Sequence, residues 1–189
     1  TSNPEEQFSF VKKAKDRGYD VLQLDGPLAA HWISKMEQSL ENVSFVRVDS
    51  DSLDKLIKKS DEIPSKLSKE DEEKLKPVFE SNITKEKFTV QFESMSESEA
   101  PIIITQPEFI RRMMEQQRMG GGGFYGAFPE MYNLTVNSNH PVVGSLLQKS
   151  DEDKQAVTKQ LVDLALLAQG MLKGEALDLF IQRNIEHIA

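Results

Sequence analysis

A chain of 189 residues carrying 23 Lys+Arg and 31 Asp+Glu, for a formal charge of −8, suits one large domain or two small ones. At 38% apolar and 29% charged it has a globular composition, and no apolar run approaches the roughly 20 residues that cross a bilayer as a helix. The absence of Cys excludes disulfide frameworks, thiolate zinc sites and thiol nucleophiles, and an acidic chain whose largest basic cluster is Arg111, Arg112 and Arg118 is not expected to bind nucleic acid or membrane.

The opening Thr1-Ser2-Asn3-Pro4 has neither an initiator Met nor a signal segment, so a piece of a longer protein is expected. Residues 5–17 place Phe8, Val11, Ala14 and Lys15 at helical spacing, and Gly18 stands where a C-terminal cap belongs. Residues 19–24 (YDVLQL) read as a strand. Pro27 opens a helix with Leu28, Trp32, Lys35 and Met36 on one face. Residues 43–48 (VSFVRV) read as a second strand, and residues 51–59 as a short helix with Leu53, Leu56 and Ile57 inward. The order α-β-α-β-α predicts a small αβα unit.

Residues 60–76 are dense in charge and read as a linker entering a helix that Ser68 caps with Asp71 three positions on. Pro77 is expected to interrupt or restart that helix before Ser81. The predicted division is 1–60, a 61–76 connection, and 77–189. In the last part, residues 87–93 (KFTVQFE) alternate, with Phe88, Val90 and Phe92 on one face, and predict an antiparallel, half-buried strand. Residues 101–105 (PIIIT) predict a second strand. Thr105 and Glu108 form a T-x-x-E capping box for a helix reaching Met119, which Gly120 to Gly123 end. Residues 131–136 (MYNLTV) predict a third strand, Asn139-His140-Pro141 a short helix to about residue 149, residues 150–173 a long helix stopped by Gly174, and residues 175–189 a last helix. The fold class is α+β or α/β: an αβα unit, then a three-stranded sheet with helices and a C-terminal helix pair.

Catalytic motifs are absent. The four glycines lack the Lys and hydroxyl of a phosphate loop and end a helix rather than open one. His31, His140 and His187 have no ligand spacing, and Asp49-Ser50-Asp51 lacks the Gly and distal Glu of a calcium loop. His140 reads as a helix-start residue, and His187 suits a helix C-terminus. No catalytic, cofactor or metal residue is therefore assigned.

Two features exceed this background. Val157, Leu161, Leu164, Ala168 and Met171 follow a helix–helix seam, and Leu177, Ile181, Ile185 and Ile188 do so on the last helix, with apolar residues beyond both stripes. Cover comes either from the same domain or from a second copy in a four-helix bundle. On the helix 108–119, Phe109 and Met113 share one face and Ile110 and Met114 the next, a soft apolar strip suited to varied partners or to a core.

The stretches FVKKAKDRGYDVLQLDGPLAAHWISKME, APIIITQPEFIRRMMEQQRM, MYNLTVNSNHPVV and LVDLALLAQGMLKGEALDLFIQRN together resemble the ninety-kilodalton heat-shock-protein chaperone family, bacterial HtpG type. The resemblance covers nearly the whole chain and implies the end of a middle domain followed by a C-terminal dimerisation domain. It implies a cytoplasmic, ATP-dependent parent whose ATP and magnesium site lies upstream, so this stretch holds no cofactor and is not itself an enzyme. The implied partners are a second protomer and unfolded or partly folded client proteins. By position, the implied client-contacting residues are Phe109, Ile110, Met113, Met114, Met119 and Trp32, with polar Gln116 and Gln117 where relatives can be apolar. The implied dimer interface comprises Leu161, Leu164, Ala168, Leu177, Phe180, Ile181, Asn184, Ile185 and Ile188. The rival readings are a small-molecule-binding α/β domain of an unrelated multidomain enzyme, and a structural region without client affinity.

Overall fold

Residue contacts in a computed structural model divide the chain into two units, residues 1–59 with 106–123 and residues 60–105 with 124–189. The composition shift alone would have kept 77–189 together. The structure describes residues 5–24, 26, 28–51, 63–119 and 130–188. The predicted helix at 51–59 and the opening Pro27 fall outside these, apart from residue 51 itself. Among the described residues the fold is mixed, with seven α-helices and one three-stranded sheet.

The first unit contains α1 (Phe8–Asp16) and α2 (Ala29–Ser39). The α1 helix ends as the sequence predicts. Gly18 takes φ +80, its N–H donates to Lys15 O at 2.9 Å, and Tyr19 N–H donates to Ala14 O at 3.0 Å. The two predicted strands of this unit do not form: residues 19–24 and 43–47 carry no ladder. A strand needs a neighbouring backbone, and around Phe45 side chains take that place. Phe45 N–H donates to Glu37 at 2.7 Å, and Phe45 O accepts from Arg112 at 2.6 Å. The αβα expectation is thus corrected: among the described residues this part of the chain holds helices and no strand.

The second unit opens with α3 (Lys69–Glu80). Ser68 Oγ accepts from Asp71 N–H at 3.2 Å and donates to the Asp71 carboxylate at 2.7 Å, as predicted. Pro77 does not interrupt this helix. It sits inside, because Leu75 and Phe79 on either side of it are buried and hold the segment against the core. Strands β1 (Phe88–Glu93), β2 (Ile102–Thr105) and β3 (Tyr132–Asn137) form a sheet of order β1-β3-β2. Strand β2 is antiparallel to β3, with Ile104 opposite Leu134. Strand β1 is parallel to β3 with Val90 opposite Leu134, against the antiparallel expectation. The reason is the connection: β2 lies between β1 and β3 in sequence and takes the reverse direction, so β3 returns along that of β1. The predicted alternation holds. Val90 is buried, Phe88 stacks on Tyr132 at 5.5 Å, and Phe92 meets Phe79 edge-on at 5.9 Å.

Past β3 the Asn-Ser-Asn-His-Pro run ties loops together. Asn139 donates to Pro64 O and Met95 O and accepts from Lys66 N–H, while Asn137 accepts from Met95 N–H and donates to Ser96 O. His140 Nδ1 accepts from Val142 N–H at 3.2 Å and starts α5 (Pro141–Ser145), as expected of it. A 3₁₀ turn (Leu146–Gln148) then leads to α6 (Asp151–Ala168), capped by Ser150 through Asp153 N–H. This helix stops earlier than the Gly174 expectation. Gly170 takes φ +63, and Met171 N–H closes on Leu166 O at 2.8 Å. Gly174 instead receives the first N–H bonds of the last helix, α7 (Glu175–Ile188).

Candidate functional site

Glu108, Arg111 and Arg112 stand at i, i+3 and i+4, so a helix puts them on one face. They belong to the helix Glu108–Met119, here α4, which clusters with the first unit. Arg112 Nη1 and Nη2 form a fork on Glu37 of α2 at 2.9 and 3.0 Å, and Arg112 Nε donates to Glu108 at 2.7 Å. Glu108 also receives Arg111 Nε at 2.9 Å and the Arg47 backbone N–H at 3.5 Å. Arg47 in turn pairs with Asp49, which accepts from Gln7 at 2.7 Å.

This network fixes charges. The Arg112 fork and the Phe45 amide pull the Glu37 carboxyl down to about 2, while Arg112 is pushed above its ordinary value. Burial works against ionisation of Glu108, yet hydrogen bonds from Arg111 and Arg112 outweigh it and hold the carboxyl below its usual range. The predicted capping box fails, because Thr105 ends strand β2 and the first backbone bond of the helix runs from Arg111 N–H to Pro107 O at 3.1 Å. Glu108 is turned to the arginines, and Thr105 Oγ1 ends buried without a partner among the described residues.

At about 100° per residue the apolar strip lies on the side of α4 opposite this docked face. Phe109 is the most open, 69% exposed, and Ile110, Met113 and Met114 are half-buried. The Gln106 amide donates to Met114 Sδ at 3.4 Å. The side chain of Met119 lies outside the described ones. Trp32 on α2 is 44% exposed and meets the Phe45 ring at 5.9 Å. Trp32 and the α4 strip, distant in sequence, thus share one unit, joined by Phe45, Glu37 and Arg112. Sequence reasoning missed these three connectors. The Glu108–Arg111–Arg112 spacing marks an ionic face, but nothing local names Glu37 as its counterpart.

The second candidate surface is the α6–α7 pair. Leu161 and Phe180 are covered by their own chain. Asn184 accepts from Gln160 at 2.9 Å, which ties α7 to α6, and donates to Phe180 O of its own helix at 2.7 Å. Buried Asp163 does the same, taking Lys159 of its own helix at 2.5 Å and Arg183 of α7 at 2.6 Å. Leu177 is half-buried. Leu164, Ala168, Ile181, Ile185 and Ile188 remain exposed, the last at 85%. Rows at i, i+4 and i, i+4, i+7 therefore face away from the unit's own core. Among the described residues no three His, Cys, Asp or Glu side chains are grouped to hold a metal, and no helix is long and apolar enough to cross a membrane.

A family model described as Hsp90 protein matches residues 2–179. The chaperone protein HtpG of Bacteroides fragilis is 34% identical over 256 residues, covering 99% of this chain and 38% of that protein. HtpG of Bacteroides thetaiotaomicron is 32% identical over the same span and coverage. HtpG of Porphyromonas gingivalis is 34% identical over 247 residues, covering 94% of this chain and 36% of its own length. The chain therefore spans less than two-fifths of these relatives.

Proposed function

Because the chain belongs to the Hsp90 family, HtpG type, we propose that it works as the C-terminal part of an ATP-dependent chaperone, pairing two protomers and offering client-binding surface. The observation that carries this reading is the uncovered apolar row on two helices already held together by Asp163 and Asn184. A row left open on a well-tied helix pair asks for a second copy, and α6 with α7 from each protomer would make the four-helix bundle. Burying Leu164 or Ile181 there contributes about 1.5–3 kcal/mol each relative to exposure. The interface set is Leu161, Leu164, Ala168, Leu177, Phe180, Ile181, Asn184, Ile185 and Ile188; Leu161 and Phe180 support it from beneath.

The client surface is the α4 strip with Trp32. An open Phe beside adaptable methionines suits unlike unfolded segments. ATP and magnesium belong to the remainder of the parent, residues 1–60 to the end of its middle domain, and the location is the bacterial cytoplasm. The small-molecule rival has no observation in its favour. The test of pairing is solution mass by light scattering. The native chain should have twice its own mass and Leu164→Glu the single mass while still folded; a folded Leu164→Glu dimer places the interface elsewhere.

A further inference from the structure

We propose that the Glu37–Arg112 ion pair is a positioning device that joins Trp32 to the α4 strip, making one client-contacting surface from two helices. The proposal rests on the reading of the strip as a client surface. Trp32 on α2 and Phe109 on α4 are not neighbours in the chain, and Phe45 is the joint between them. Its ring meets Trp32 at 5.9 Å, its N–H donates to Glu37 at 2.7 Å, and its carbonyl accepts from Arg112 at 2.6 Å. Arg112 adds the fork on Glu37 and the bond to Glu108, so one guanidinium engages α2, the 43–47 connection and its own helix together. A planar fork can make all these bonds at once and an ammonium cannot.

The geometry separates binding from positioning. The docked face uses Glu108 and Arg112, and the strip lies opposite, so the ion pair orients Phe109 without touching anything bound there. The pair is open to solvent in part, with Glu37 21% and Arg112 38% exposed, so salt reaches it. Loss of the pair should let α4 turn on its connection and leave Trp32 beside an unfastened Phe45.

The test uses the whole chain and its single Trp as reporter. Glu37→Gln keeps an acceptor for Phe45 N–H but removes the charge, and Arg112→Lys keeps the charge but removes the fork. At low salt both should show a red-shifted Trp32 emission that the native chain reaches only near 1 M NaCl, where screening acts over about 3 Å. Both should bind reduced, carboxymethylated α-lactalbumin about fivefold more weakly, with unchanged far-UV circular dichroism. Phe109→Ser should weaken that binding without moving the emission. Unchanged emission or binding in Glu37→Gln and Arg112→Lys, with Phe109→Ser weakened, overturns the positioning role and leaves the strip standing. Unchanged binding in Phe109→Ser overturns the strip itself, and the coupling with it.

Discussion

Asp163→Asn should destabilise the second unit by about 2 kcal/mol, less than a fully buried ion pair would imply. Breaking a buried pair by removing one partner costs about 3–5 kcal/mol, because the remaining charge is stranded away from water. Here the carboxylate is 2% exposed, but Lys159 and Arg183 keep 40% and 34% of their side-chain surface. Both cations can turn toward solvent once the carboxylate is gone, which removes much of the penalty. Arg183 Nε also lacks a partner among the described residues, so the native pair is itself imperfectly satisfied. The unit comprises roughly 110 residues, for which 2 kcal/mol lowers the melting temperature by about 10 °C. Thermal unfolding followed by far-UV circular dichroism measures this. Asp163→Leu with Arg183→Leu replaces the pair by apolar groups and should recover most of the loss. A shift below about 2 °C in Asp163→Asn would refute the reasoning, since it would mean that the carboxylate is solvated and does not hold α7 to α6.

Other outcomes follow from single residues. Gly170→Ala should cost about 1 kcal/mol, because φ +63 strains any L side chain although no atom lies within 4 Å of the new Cβ; melting temperature reads it. Gly144→Ala, inside α5 with equally open space, should instead stabilise by about 0.5–1 kcal/mol in the same assay. Acid titration should act on the first unit through Glu37. Its folded value near 2 lies below the ordinary 4.5, so its stabilisation is complete above 4.5 and fades as pH falls toward 2. With Arg112 38% exposed, that contribution is on the order of 1 kcal/mol, and Trp32 emission should follow it in the native chain but not in Glu37→Gln.

Local chemistry in the sequence determined the helix ends at Gly18, Ser68, His140 and Ser150, since a cap is a bond between near neighbours. It determined the inward face of β1 as well, because alternation needs only one strand to be legible. The apolar surplus on residues 157–188 was visible too, but not which part of it the chain covers itself: Leu161 and Phe180 are buried while Leu164 and Ile181 are open. The parallel pairing of β1 followed from the course of the chain through β2, which no strand records by itself. Likewise 19–24 and 43–48 have strand-like patterns, yet Phe45 bonds to the side chains of Glu37 and Arg112 instead of a ladder. The sequence displayed an ionic and an apolar face on α4, and tertiary structure alone decided which would be docked. Hydrogen bonds and ion pairs need a partner at about 3 Å, and the partner of Arg112 lies 75 residues away on another helix.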